Sequence, residues 1–205
     1  MIEGSTLALE HRAPIYSWLS RLLVREIQPS DWEALRSQPI RSILIRLEPD
    51  LATELERDFC KAKSEELDEE FARLFLLPGG VSPFATHWIA STSKEQQEKT
   101  RDEISVLVER SLAAIGRSPI HDDPWGRIPK DHIAVLFDLI AEAEASCDAR
   151  DREVAAHLDR ELLGEWIASF GNALEEQARI PLYRALGGVV VELHSPEQGP
   201  SNPDA

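Results

Sequence analysis

Five large apolar residues stand four apart in one stretch of the chain: Leu158, Leu162, Trp166, Phe170 and Leu174. A spacing of four keeps side chains on one face of an α-helix and scatters them to both faces of a strand. The same period recurs along the chain, and alternating strand patterns are nearly absent, so the expected fold class is all-α. The first segment, 13–27, puts Ile15, Trp18, Leu19, Leu22 and Leu23 on one face. Pro14 fits its first turn. Ser30 and Glu33 have capping-box spacing for a short helix through Leu35. Leu51, Leu55 and Phe59 mark a helix after Pro49, and Leu67, Phe71, Leu74 and Phe75 mark another from Ser64.

Two irregular stretches interrupt this pattern. Leu77 to Phe84 contains two prolines and two glycines, which makes a loop. Thr92 and Glu95 have the spacing to cap the next helix, which carries Ile104, Leu107, Val108, Leu112 and Ile115 and stops at Gly116. Residues 117–129 hold Pro119, Pro124, Gly126 and Pro129 and form the expected hinge. Asp131 suits the start of the next helix, whose run from Ile133 to Ala141 is apolar nearly all round and belongs at the centre of a bundle. Pro181 opens a last helix with Leu182, Leu186, Val190 and Leu193. The expectation is one helical bundle-like domain over 1–194 with about nine to ten helices. Its halves are 1–116 and 130–194, and a disordered tail follows over 195–205. A Pro-rich hinge between two helical halves also permits a domain-swapped homodimer.

Charge narrows the partners. Lys plus Arg number 22 against 37 Asp plus Glu, a net charge of −15. Nucleic acid and anionic membrane surfaces are disfavoured, because both need a basic face, and a basic partner is favoured. No stretch approaches the roughly 20 apolar residues that cross a bilayer, and the first residues lack a secretory pattern. Cys60 and Cys147 lie far apart and read as free thiols in a reducing cytoplasm.

The signatures of enzymes are missing: no phosphate-binding P-loop, no GxGxxG, no GxSxG, no HExxH. Gly79-Gly80 reads as a turn. His121, Asp122, Asp123, Asp131 and His132 gather in sequence but fix no metal geometry. No nucleophile has a base at recognisable spacing. The expectation is therefore no catalytic residue, no metal and no cofactor of the chain's own.

Four segments together carry a resemblance. They are Glu70-Phe71-Ala72-Arg73-Leu74-Phe75 running into Pro78–Phe84 with Trp88 after it; Ile128-Pro129-Lys130-Asp131-His132-Ile133; Glu165-Trp166-Ile167-Ala168-Ser169-Phe170; and Ile180-Pro181-Leu182-Tyr183. Their order and spacing over about residues 13–193 resemble the TorD/DmsD/NarJ family of redox-enzyme maturation chaperones. Ile128 stands where the family's Glu-Pro-x-Asp-His motif has its glutamate. The resemblance implies an all-helical cytoplasmic chaperone. Its partner would be the precursor of the catalytic subunit of a molybdenum-containing oxidoreductase. It would bind that precursor's N-terminal twin-arginine signal peptide and hold it back from export while the cofactor is inserted. Carried over by position, the implied binding residues are Ser82, Pro83, Phe84 and Trp88 from the first loop, Pro129, Asp131 and His132 from the second, and Tyr16 on the first helix. A generic helical adaptor and a nucleotide-dependent enzyme are the competing functions.

Overall fold

The computed structural model describes residues 12–90, 93–117, 128–164 and 166–194. Among them run eleven α-helices: α1 (Arg12–Val24), α2 (Pro29–Arg36), α3 (Ile40–Leu47), α4 (Leu51–Glu54), α5 (Lys61–Phe71), α6 (Ala85–Ile89), α7 (Lys94–Ala114), α8 (Ile133–Ala145), α9 (Ala149–Leu158), α10 (Trp166–Gln177) and α11 (Pro181–His194). No strand forms among the described residues, so the fold is all-α as the periodicity requires. α4 and α6 are single turns.

The apolar run of α8 becomes the centre. Ile133, Leu136, Phe137 and Ile140 are completely enclosed. α1 crosses α8 in the opposite direction: Ser20 Oγ donates to the Ala134 carbonyl at 2.8 Å, and Tyr16 packs on Phe137 at 5.3 Å. α9 covers another side of α8, α10 pairs with α11, and α3 lies against α11. The segments before and after the expected hinge thus pack on each other. Each fully buried Leu- or Phe-sized side chain contributes roughly 1.5–3 kcal/mol, and a single connected cluster holds them all. α10 and α11 approach closely because Gly171 faces Gly187. A Cβ on Gly187 would stand 2.6 Å from the Gly171 carbonyl oxygen.

Several local expectations change. The capping box of α2 lies two residues earlier than the Ser30–Glu33 pair: Gln28 precedes the helix, and its N–H donates to Asp31 Oδ2 at 2.9 Å. Pro29 suits the first helical position, where no N–H is needed, and this moves the cap ahead of Ser30. Phe59 lies outside any helix, because α4 ends at Glu54. Ile40–Leu47 forms a helix that the sequence pattern left unassigned. Thr92 is outside the described residues; Ser93 caps α7 and accepts from Gln96 N–H at 3.2 Å. Gly116 does end α7, at φ +72°, in the two-bond arrangement typical of a glycine C′. The residues of the hinge from 118 to 127, with His121, Asp122 and Asp123, and the tail over 195–205 are outside the described residues.

The row that opened the sequence argument is not one helix. α9 gives way to a π turn at Asp159–Leu163, and Gly164 turns the chain at φ +40° before α10 starts. All five residues of the row are nonetheless buried, so the row describes a common face across a break. A second π turn, Ala72–Leu76, follows α5. Glu70 holds it in place. Its carboxylate takes two bonds from Arg73, at 2.7 and 2.8 Å, and one from the Arg179 N–H at 2.5 Å. Burial raises the Glu70 pKa, but these bonds outweigh it and hold the group below its ordinary value.

Candidate functional site

The first loop is shaped by glycine. Gly79 sits at φ +89°, where a side chain is strained, and a Cβ on Gly80 would clash with the carbonyl oxygens of Arg73 and Leu74. The loop then returns along the π turn, with Val81 N–H donating to Leu74 C=O at 2.7 Å. This delivers Ser82-Pro83-Phe84 to the start of α8.

There the two loops join. Phe84 and His132 form an isolated antiparallel bridge. Ala85 N–H donates to Asp131 C=O at 2.8 Å, and Ile133 N–H donates to Pro83 C=O at 2.8 Å. The Phe84 and His132 rings meet edge to face at 5.3 Å. Trp88 Nε1 donates back to Ser82 C=O at 3.0 Å, and its ring packs on Phe170 at 6.2 Å. Ser82, Pro83, Phe84, Trp88, Asp131 and His132 thus form one hydrogen-bonded junction. Pro129 is exposed beside it and closes a turn through its carbonyl, which accepts from His132 N–H at 2.9 Å.

The polar groups of the junction have distinct tasks. His132, not Asp131, caps α8: its Nδ1 accepts from Ala134 N–H at 3.2 Å. Burial pushes the His132 pKa down to about 4, against the pull of Asp131, so the ring is neutral and free to accept. Asp131 is fully enclosed. Its Oδ2 accepts from Thr86 Oγ1 at 2.7 Å and from Arg101 Nε at 3.4 Å. The expected capping role of Asp131 is therefore corrected: one residue of extended backbone separates it from the helix, and its side chain faces α6 and α7 instead.

Tyr16 is elsewhere. It is enclosed in a second polar cluster where α1, α8, α11 and the π turn after α9 meet. Its hydroxyl receives Arg12 Nη2 at 2.9 Å and lies 3.2 Å from Asp159 Oδ1 and 3.0 Å from His194 Nε2. Arg12 also pairs with Asp159 at 2.7 Å and approaches Glu144 at 3.7 Å. Burial, with the nearby Asp159 charge, raises the Tyr16 pKa. Burial works to raise that of Asp159 too, but its bonds to His194 and Arg12 prevail and lower it.

The segments that lead into and out of the junction expose apolar side chains. Leu76 and Leu77 are 63% and 59% exposed, and Ile89, which ends α6, is 47% exposed. Sequence reasoning passed over these three, and over Thr86 and Arg101. The signal for Leu76 and Leu77 was present: they fall outside the Leu67–Phe71–Leu74 stripe and stand just before Pro78-Gly79. Thr86 and Arg101 carry no sequence mark, since only the packing of α6 and α7 brings them to Asp131.

The described residues hold no group of His, Cys, Asp or Glu side chains arranged for a metal ion. No described helix is long and apolar enough to cross a membrane. Cys60 and Cys147 are free and exposed. The junction encloses a carboxylate, and the loop entering it and the helix leaving it expose apolar side chains, which suits binding of a chain segment.

A family model described as nitrate reductase delta subunit matches residues 33–176. The chain is similar to Chaperone protein TorD of Salmonella bongori, with 33% identity over 64% of this chain and 62% of that protein, so this alignment spans a little under two thirds of the relative. It is also similar to Chaperone protein TorD of Escherichia coli O127:H6, with 25% identity over 92% of this chain and 96% of that protein. A third relative, the TorD chaperone of Photobacterium profundum, is 25% identical over 89% of this chain and 90% of that protein.

Proposed function

From the premise that the chain belongs to the nitrate reductase delta subunit family, the TorD/NarJ group of chaperones rather than a family of enzymes, we propose that it is a maturation chaperone for a molybdenum-containing oxidoreductase. It binds the precursor of the catalytic subunit through the N-terminal twin-arginine signal, before export and during cofactor insertion, on the cytoplasmic side. The site is the junction of Ser82–Trp88 with Pro129–His132. The observation that carries this reading is the exposed pair Leu76-Leu77 at the start of the same loop whose far end is bonded to Asp131 and Ile133.

A signal of this kind offers two guanidinium groups beside an apolar run. The apolar run is matched to Leu76, Leu77 and Ile89, where each Leu-sized side chain it buries contributes roughly 1.5–3 kcal/mol. The net charge of −15 speeds encounter with a basic segment and fades with salt. Tyr16, being enclosed, supports the site only through the packing of α1 on α8. Exchange of helical halves between two copies belongs to the same proposal, and light scattering on the purified protein measures it.

Titration calorimetry tests the reading with a synthetic peptide in which an Arg-Arg pair precedes an apolar run. Binding is expected to weaken more when the apolar run is made polar than when both arginines are replaced. Raised salt is expected to slow association and leave dissociation little changed. A peptide lacking its apolar run that binds as well as the parent would contradict the proposed apolar contact.

A further inference from the structure

Asp131 is an enclosed carboxylate only partly used by the protein. Oδ2 takes Thr86 and Arg101, whereas Oδ1 is buried and meets no donor among the described residues. A buried acceptor left unbonded costs stability, and a native structure that keeps one calls for an explanation. Arg101 reaches Oδ2 through Nε alone, at the long distance of 3.4 Å, and its side chain is half exposed. The strong form of a guanidinium–carboxylate pair is different: two parallel N–H bonds, one to each oxygen. Arg101 makes the weaker form and links the enclosed Asp131 to a side chain that reaches solvent.

Arg101 also has somewhere to go. It lies on α7, three residues after the exposed Glu98, a spacing at which opposite charges on a helix meet. The other charged neighbour on this face is Lys94, which pairs with Glu98 at 3.8 Å. His132, next to Asp131, is neutral and offers no competing positive charge.

We propose that Arg101 is a displaceable plug, the free protein's own stand-in for a guanidinium of the bound segment. On binding, an arginine of the partner takes both oxygens of Asp131, and Arg101 swings out toward Glu98. The proposal rests on the functional reading above and adds its means of selection. In the free protein the plug keeps a buried charge paired, since an unpaired one is costly. Against a purely apolar segment it stays closed, because such a segment brings nothing to replace it. Selectivity then comes from a cost imposed on the wrong partner as well as a gain from the right one.

Fluorescence anisotropy decides this with two labelled synthetic peptides, the Arg-Arg peptide and its Gln-Gln counterpart, titrated into the wild-type protein and Arg101→Gln. The plug predicts that Arg101→Gln binds the Arg-Arg peptide about two- to fivefold more tightly, the range of a half-exposed ion pair, with no gain for the Gln-Gln peptide. Binding by Arg101→Gln alone also supports the plug. Equal or weaker binding of the Arg-Arg peptide by Arg101→Gln, with the wild type still binding, overturns the plug and leaves the functional reading intact. Absence of binding by both proteins overturns both. Should Arg101→Gln fail to fold, the Arg101 Nε–H signal of the wild type is followed by NMR. It is expected to shift and exchange faster with water on adding the Arg-Arg peptide, and to stay with the Gln-Gln peptide. An unchanged signal at saturating Arg-Arg peptide overturns the plug.

Discussion

Two polar clusters in this molecule differ in how fully their carboxylate is used. The Arg12–Tyr16–Asp159–His194 cluster is closed at its carboxylate: the two oxygens of Asp159 serve an arginine, a hydroxyl and an imidazole drawn from α1 and α11, while Arg12 Nε, 3.7 Å from Glu144, is buried without a hydrogen-bond partner among the described residues. It ties the two ends of the described chain together. The junction at Asp131 and His132 is partly unspent. Among the described residues one oxygen of its carboxylate has no donor, its partner is a half-exposed arginine, and the loop leading into it exposes two leucines. A carboxylate with both oxygens bonded within the fold serves stability. One that leaves an oxygen unbonded, joined to a loop that exposes apolar side chains, is suited to a partner.

The largest effect that separates the two is expected at Asp159. Asp159→Ala removes the acceptor shared by three groups, and should lower unfolding free energy by about 2–4 kcal/mol in urea melts. Peptide affinity should stay unchanged in the protein that remains folded. A loss of binding without a loss of stability would reverse the assignment of the two clusters.

Acid should strain the junction first. His132 titrates at about 4 in the fold against an ordinary value of 6.5, so the unfolded chain binds the extra proton more readily. Its contribution is fully present above pH 6.5 and is lost as pH falls from 6.5 through 4, amounting to about 3 kcal/mol at most. Asp159 is also held below its ordinary value, so the closed cluster loses its share only at still lower pH. His132→Asn keeps a capping acceptor and should flatten the melting curve against pH between 6.5 and 4. An unchanged pH dependence would show that another group titrates there.

How much of this was legible in the sequence follows from how local each signal is. The α8 run, Pro181 at the start of α11 and Gly116 at the end of α7 are each decided within one or two turns, and they stand where the pattern puts them. The Pro129–His132 segment could be marked for the same reason. The division of labour within it could not: whether Asp131 or His132 caps α8 depends on Thr86 and Arg101, far away in sequence. Tyr16 could be placed on a buried face but not in a cluster, since Asp159 and His194 reach it only through the fold. The break at Gly164 was hidden because the π turn inserts a residue while Leu158, Leu162 and Trp166 keep their burial.

Smaller effects sharpen the contrast at the surface. Leu76→Ser with Leu77→Ser should weaken peptide binding by about 1–2 kcal/mol, measured by calorimetry, because the apolar run loses its partners. Stability should change by no more than about 0.5 kcal/mol, as both side chains already face solvent. Trp88→Phe gives up the bond to Ser82 and should cost about 0.5–1.5 kcal/mol of stability in urea melts. It should also reduce the fluorescence change that accompanies peptide binding.

Hydrogen exchange read by mass spectrometry, with and without the Arg-Arg peptide, tests the central claim most directly. Added protection is expected over 76–89 and 128–133, with residues 12–24 and 181–194 unchanged. Protection confined to 12–24 and 181–194 would contradict the account and move the binding surface to the closed cluster.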